Sequence, residues 1–296
     1  MIFFGVGAQK SGTSWLYDYL RDHPQVFMNE VKELDYWSLV DTPQKYARIQ
    51  MLSMNAAQHL DPKDGPPIEK RSGRYERALS CMALASAIGG RIPYQALFEA
   101  RSAEHKAWGE ISPSYGLLDT ETYRRMNALD PDARFIYIMR DPVLRYWSSV
   151  RMLISRTPEA LDRAGSIPEL FEQRLMSTVS HLRRFTEYDQ TLERLEAAVP
   201  KERIHTMFYE TLFSEKGGQE AADLCSFLGI DYMEPNLGKM VWETDKTRVR
   251  PDDLTADMEA QAMDVFAPVY RNLEKRFGDR LPLSWRDRCA KLKDAA

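Results

Sequence analysis

The sequence predicts an α/β fold, a central parallel sheet flanked by helices in three layers. Three observations predict it. Short apolar segments recur at Ile2–Val6, Val26–Met28, Ala107–Ile111, Arg134–Met139 and Arg203–Phe208. Segments of helical spacing separate them. The first apolar segment also runs directly into a small-residue turn that opens a helix. Strands alternating with helices belong in a parallel sheet, because each crossover covers one of its faces. With 296 residues and a hydrophobic fraction of 44%, the chain can bury a sizeable core. No repeat or linker divides it, so residues 1–296 read as a single domain.

The first strand, Ile2-Phe3-Phe4-Gly5-Val6-Gly7, leads into Ala8-Gln9-Lys10-Ser11-Gly12-Thr13-Ser14-Trp15-Leu16. Such a turn converges backbone N–H groups, and the helix N-terminus behind it adds partial positive charge, which together make a phosphate cradle. Gly7 and Gly12 have the spacing of a Walker A loop, but Thr13 stands where the lysine should follow the second glycine. The cation is instead Lys10, inside the turn. The layout is therefore P-loop-like and suits a nucleotide 5′-phosphate, without the lysine that contacts an ATP γ-phosphate.

A helix over Ser14–Arg21 follows, then the strand Val26–Met28. The crossover to Ala107 is too long for one helix, and residues 40–105 read as a helical insertion over the sheet's C-terminal edge, where ligands bind in such folds. Within it, 61–67 (Asp-Pro-Lys-Asp-Gly-Pro-Pro) must be a loop. Met51 and Met54 read as packing residues, and Lys70, Arg71, Arg74 and Arg77 as a solvated basic face or, alternatively, as a contact for an acidic acceptor. Further helices are expected over Thr122–Leu129, Pro142–Ser155, Pro168–Ala198 and Gln219–Leu228. In the third of these, Leu175, Val179, Leu182 and Phe185 describe one apolar stripe.

The strand Phe135-Ile136-Tyr137-Ile138-Met139 ends in Arg140-Asp141-Pro142. Asp141 can cap a helix that has proline at its first position. Arg140 then lies at the strand's carboxyl end, beside the first loop, and Ser148 falls about two turns into the helix. An arginine and a hydroxyl so placed can grip one phosphate.

Composition excludes several classes. The net charge of −4 argues against general nucleic-acid binding. Cys81, Cys225 and Cys289 are few and lack a CxxC, and the five histidines lack metal-ligand spacing, so neither a disulfide scaffold nor a metal is expected. The N-terminal apolar run is too short for a signal segment or a membrane span, which implies a reduced, cytoplasmic protein. No sequence feature specifies an oligomeric state.

Lys10-Ser11-Gly12-Thr13-Ser14, followed by Arg140 with Ser148, resembles the two cofactor motifs of sulfotransferases dependent on 3′-phosphoadenosine 5′-phosphosulfate (PAPS). Glu30-Val31-Lys32-Glu33-Leu34-Asp35-Tyr36-Trp37 resembles the Lys-Glu-x-His-Phe-Phe segment of bacterial and heparan-type members. Gly109-Glu110-Ile111-Ser112-Pro113-Ser114-Tyr115 is similar to their Gly-Glu-Lys-Thr-Pro-x-Tyr stretch. Asp245-Lys246-Thr247-Arg248 resembles a late segment near the 3′-phosphate, and 269–273, 277–279 and Trp285 resemble the closing helix. The likeness spans the chain except for the 40–105 insertion.

The resemblance implies that Lys10, Ser11, Gly12, Thr13, Ser14 and Trp15 hold the 5′-phosphosulfate end, and Arg140, Ser148 and Arg248 the 3′-phosphate. It implies Lys10 as stabiliser of the leaving phosphate, Glu33 as general base and Lys32 as a further cation near the leaving group. The acceptor is then a hydroxyl or amine of a glycan or small metabolite, and the nucleotide product is PAP. Two departures stand against a highly anionic acceptor: Asp35 replaces the histidine, and Ile111 replaces the lysine. A nucleotide kinase or NTPase, and a non-catalytic nucleotide-binding module, are the competing readings.

Overall fold

A computed structural model describes residues 1–60, 72–238 and 249–294. Its five strands are β1 (Ile2–Gly7), β2 (Val26–Met28), β3 (Ala107–Ile111), β4 (Arg134–Met139) and β5 (Ile204–Phe208), where the apolar segments predict them. All neighbours pair in parallel, in the order β2-β3-β1-β4-β5. The central strands are apolar on both faces because helices cover both. On β1, Ile2, Phe4 and Val6 join one core cluster and Phe3 the other. Gly109 permits the closest strand approach, since a Cβ there would lie 2.1 Å from the Phe3 carbonyl oxygen.

Helix α1 (Thr13–Arg21) returns the chain from β1 to β2. Between β2 and β3 run α2 (Tyr36–Leu39), α3 (Lys45–Leu60), α4 (Ser72–Ile88) and α5 (Ala96–Ser102), with α3 and α4 packed on each other. The expected loop at 61–67, with Lys70 and Arg71, lies outside the described residues. Met51 and Met54, expected to pack, are exposed, because α3 turns Leu52 and Ala56 inward instead. Helix α6 (Thr120–Asn127) precedes β4, and α7 (Pro142–Arg156) follows it.

The helix expected over Pro168–Ala198 is instead three pieces, α9 (Ile167–Met176), α10 (His181–Arg184) and α11 (Tyr188–Glu196), after a short α8 (Glu159–Ala164). The first break falls at 177–180, a Ser-Thr-Val-Ser run whose side chains compete with helical backbone bonds or lose χ1 freedom in a helix, and a second at 185–187. Val179 is accordingly 79% exposed rather than in the core. The breaks let α10 pack on α7 while α11 contacts α6 and a long C-terminal helix. Beyond β5 come α12 (Tyr209–Leu212), α13 (Gly217–Leu228), α14 (Ala256–Phe277) and α15 (Leu283–Asp294). The last is tied to the start of α7: Arg288 Nε lies 2.9 Å from Asp141 Oδ2, which also accepts from the Tyr270 hydroxyl at 2.9 Å.

Candidate functional site

Strand order reverses between β1 and β4, since the chain fills positions on one side of β1 before crossing to the other. A crevice opens outside the carboxyl ends at such a switch point. Two segments meet there, the turn 8–12 after β1 and the β4–α7 junction. The turn closes on itself through the Ser11 N–H to the Ala8 carbonyl, and hangs from β4 through the Ala8 N–H to the Ile138 carbonyl. Lys10 has φ +70° and Gly12 φ +94°. At Gly12 a side chain would be strained and would also meet Tyr209 and Phe213 at 3.2 and 3.3 Å.

At the junction Asp141 caps α7 by accepting from the Leu144 N–H at 3.0 Å, with Pro142 in the first turn, as the sequence predicts. This fixes Arg140 beside the turn. Its guanidinium donates to the Lys10 carbonyl at 3.3 Å and lies 4.5 Å from the centre of the Tyr209 ring. Its Nε is buried with no hydrogen-bond partner among the described residues. Tyr188 holds its backbone, donating to the Arg140 carbonyl at 2.7 Å. Ser148 is buried on α7. Arg145 is fully buried and donates to the carbonyls of Gln9, at 3.5 Å, and Leu182.

Lys32 also reaches the turn, donating from Nζ to Ser14 Oγ at 2.6 Å. Lys10 is thus crowded by cations. Burial, then the charges of Arg140, Arg156, Arg151 and Lys32, lower its pKa to about 8. Ser11 is buried in the turn and Thr13 at the start of α1. Trp15 is buried on α1, stacked on Tyr19 with ring centres 5.0 Å apart and edge-on to Phe213. Arg248 lies outside the described residues. Arg250, two residues beyond it, turns to Asp253 at 3.2 Å, and Arg151 donates to the Val249 carbonyl at 3.2 Å.

Glu33 sits in the segment between β2 and α2. Its backbone carbonyl accepts from Arg48 of α3 at 2.5 Å, which anchors the α3–α4 pair beside it. Arg77 of α4 adds a second tie, to the Glu30 carbonyl at 3.2 Å. The Glu33 side chain is solvent-accessible, but the surrounding protein displaces part of its hydration. Desolvation first, then the charge of Asp35, raise its pKa against the opposing Lys32, Arg156 and Arg48. Asp35 caps α2 in the left-handed region, φ +54°.

The sequence motifs do not single out Arg145, Tyr188 or Tyr209. Only Tyr209 carries a usable signal, because it follows β5 directly and so must sit at the sheet's carboxyl edge. Among the described residues no group of three or more His, Cys, Asp or Glu side chains converges, and no helix is long and apolar enough to cross a membrane.

Comparison with known proteins bears on the family and the fold. The Sulfotransferase family profile matches residues 3–235. A sulfotransferase from Alicyclobacillus acidocaldarius superposes with a TM-score of 0.59 at 24% identity, covering 96% of this chain and 98% of that one. The sulfotransferase domain of the curacin biosynthetic pathway gives 0.51 at 18% identity, covering 91% and 96%. The sulfotransferase domain of the Synechococcus PCC 7002 olefin synthase gives 0.50 at 17%, covering 90% and 93%. No curated protein sequence matches significantly. The chain belongs to the sulfotransferase family, with its P-loop-like α/β fold.

Proposed function

We propose that this sulfotransferase moves a sulfuryl group from PAPS to a hydroxyl or amine of a glycan or small-metabolite acceptor. The observation that carries the reading is the meeting of Lys10, Arg140 and Lys32 at the sheet's switch point, where Arg140 donates to the Lys10 carbonyl and Lys32 to Ser14 Oγ. So many cations at one turn suit a ligand that is anionic at both ends. The residues present fit such a ligand, because Gly12 keeps the turn open and Arg140 has a buried, unpartnered Nε.

PAPS, when bound, supplies the activated sulfuryl group and a phosphate leaving group. Lys10, still largely protonated at neutral pH with a pKa of about 8, meets the negative charge that grows on the departing oxygen. Ser11, Gly12, Thr13 and Ser14 would hold the 5′ end, Trp15 would flank it, and Arg140, Ser148 and Arg248 would hold the 3′-phosphate. Lys32 orients Ser14 and adds charge beside it. Glu33 takes the acceptor's proton as the new S–O or S–N bond forms and the bond to the phosphate oxygen breaks. Desolvation raises its pKa, which makes the carboxylate a stronger base than a fully hydrated one.

Thermal shift tests the assignment. Adenosine 3′,5′-bisphosphate should stabilise the chain by about 2.7 kcal/mol over its ligand-free state at a concentration 100 times its Kd, and AMP at the same concentration far less. Equal shifts from both nucleotides would remove Arg140 and Ser148 from the 3′-phosphate. Magnesium-dependent ATP turnover would instead favour the kinase reading. A screen of acceptors with labelled PAPS, read by product mass, identifies the substrate.

A further inference from the structure

Glu110 is the one charged residue of the Gly109–Tyr115 stretch, and the proposed reaction leaves it unused. It stands on β3 opposite Phe4 of β1, with only 1% of its surface exposed. A carboxylate in such a place costs stability unless donors or a cation satisfy it. Three hydroxyls do so. Tyr94 donates to Oε1 at 2.5 Å, Tyr115 to the same oxygen at 2.8 Å, and Ser112 to Oε2 at 2.6 Å.

Two of those hydroxyls have a second partner. Ser112 Oγ accepts from the backbone N–H of Asp35 at 3.0 Å, and the Tyr115 hydroxyl accepts from that of Trp37 at 3.3 Å. A hydroxyl has one proton. Because Glu110 takes it, the lone pairs of Ser112 and Tyr115 are left to face the two amides. One buried anion thereby grips the backbone on both sides of Tyr36, three residues past Glu33. We propose that Glu110 is a positioning residue for the transfer reaction: through Ser112 and Tyr115 it clamps Asp35 and Trp37 and so fixes the segment that presents Glu33. This rests on the reading of Glu33 as the base.

The polarity argument separates Glu110 from a merely bulky core residue. In Glu110→Gln one carboxylate oxygen becomes an amide nitrogen, which donates. The hydroxyl facing it must then accept, and its own proton turns toward an amide N–H that also donates. One relay is lost although size and shape are kept. Burial raises the Glu110 pKa to about 7, opposed by its bonds from Ser112, Tyr94 and Tyr115 and reinforced by Asp35. The clamp is thus intact in the ionised form, which gains weight as the pH rises.

The experiment compares the full chain with Ser112→Ala, Ser112→Thr and Glu110→Gln. Three readouts are taken: backbone amide exchange over residues 29–38 and over β1, the Kd for PAP, and loss of labelled sulfate from PAPS to water. Ser112→Ala should speed exchange at 29–38 and slow sulfate release, each by roughly tenfold for one lost relay. Exchange in β1, the KM for PAPS and the Kd for PAP should stay within about twofold, less than the loss of one such bond. Ser112→Thr, which keeps the hydroxyl, should show neither effect, and Glu110→Gln should reproduce both.

Unchanged exchange at 29–38 in Ser112→Ala overturns the clamp, and so does equal acceleration in β1, which marks general destabilisation. Faster exchange at 29–38 with unaltered sulfate release overturns the positioning role. Should Glu110→Gln fail to fold, the two Ser112 variants decide. Glu33→Gln separates the premise: if it leaves sulfate release intact, the base assignment falls while the exchange result still reports on the clamp.

Discussion

Lys10 and Glu110 are both ionisable groups withdrawn from water at the same end of the sheet, and the chain surrounds them in opposite ways. The charges pressing on Lys10 are of its own sign, from Arg140, Arg156, Arg151 and Lys32. Glu110 is met by three hydroxyl donors within 2.8 Å. A cation crowded by cations is relieved by an arriving anion, so that arrangement belongs to a ligand site. A carboxylate already satisfied by donors has little left to offer a ligand and serves to hold its neighbours. Perturbed ionisation alone therefore does not mark a binding residue; the charge and hydrogen-bonding character of what surrounds it do.

The contrast can be broken most directly at the residues facing the reaction. Glu33→Gln should slow turnover of labelled PAPS by roughly 10²–10⁴-fold, as for a lost general base, while PAP affinity is kept. Comparable loss of both would make Glu33 part of the scaffold. Lys10→Ala should slow the same turnover by about 10²–10³-fold, the cost of removing one preorganised donor from a developing anion. Turnover left intact would show that crowding by like charge does not mark the donor site.

A stability experiment sharpens the comparison. Asp141→Ala strips Arg288 of a partner in a buried pair and removes the cap of α7, which should cost about 3–5 kcal/mol in urea unfolding. A loss under about 1 kcal/mol, the size of an exposed pair, would mean that α15 does not brace the Arg140 junction.

The smallest effect is a pH slope. Lys10 has its pKa lowered from 10.5 to about 8 in the folded chain. Between these values the folded state binds fewer protons than the unfolded one, so ligand-free stability should gain as the pH rises through that window. PAP favours protonated Lys10, so its affinity should hold up to about pH 8 and then decline, by at most about tenfold per unit. Lys10→Met should flatten both slopes. A decline that survives this substitution would assign the titration to another group.

Much of the donor half is legible in the sequence because it is made of consecutive residues. Strand, turn and helix around Lys10 follow one another without a gap, and Asp141-Pro142 announces the helix that fixes Arg140. The helical stretch 168–198 misleads because spacing reports which face is apolar, not whether a Ser-Thr-Val-Ser run will let the backbone continue. Met51 and Met54 mislead for a related reason: an apolar side chain on a helix need not face the core. Arg145 looks like an ordinary helix-surface cation until α10 folds back over it and offers the Leu182 carbonyl.

The sequence by itself determined the five strands, the P-loop-like turn with its lysine inside, and the resemblance that the family match supports. Those depend on local backbone preference and on periodicity, which act over a few residues. Only the tertiary structure decided that β1 lies between β3 and β4. That order brings Arg140 to Lys10 across 130 residues, and sets Ser112 against the amide of Asp35 across 77. Charge crowding and hydroxyl polarity are properties of such neighbours, and neighbours distant in sequence are chosen by the packing of the whole sheet.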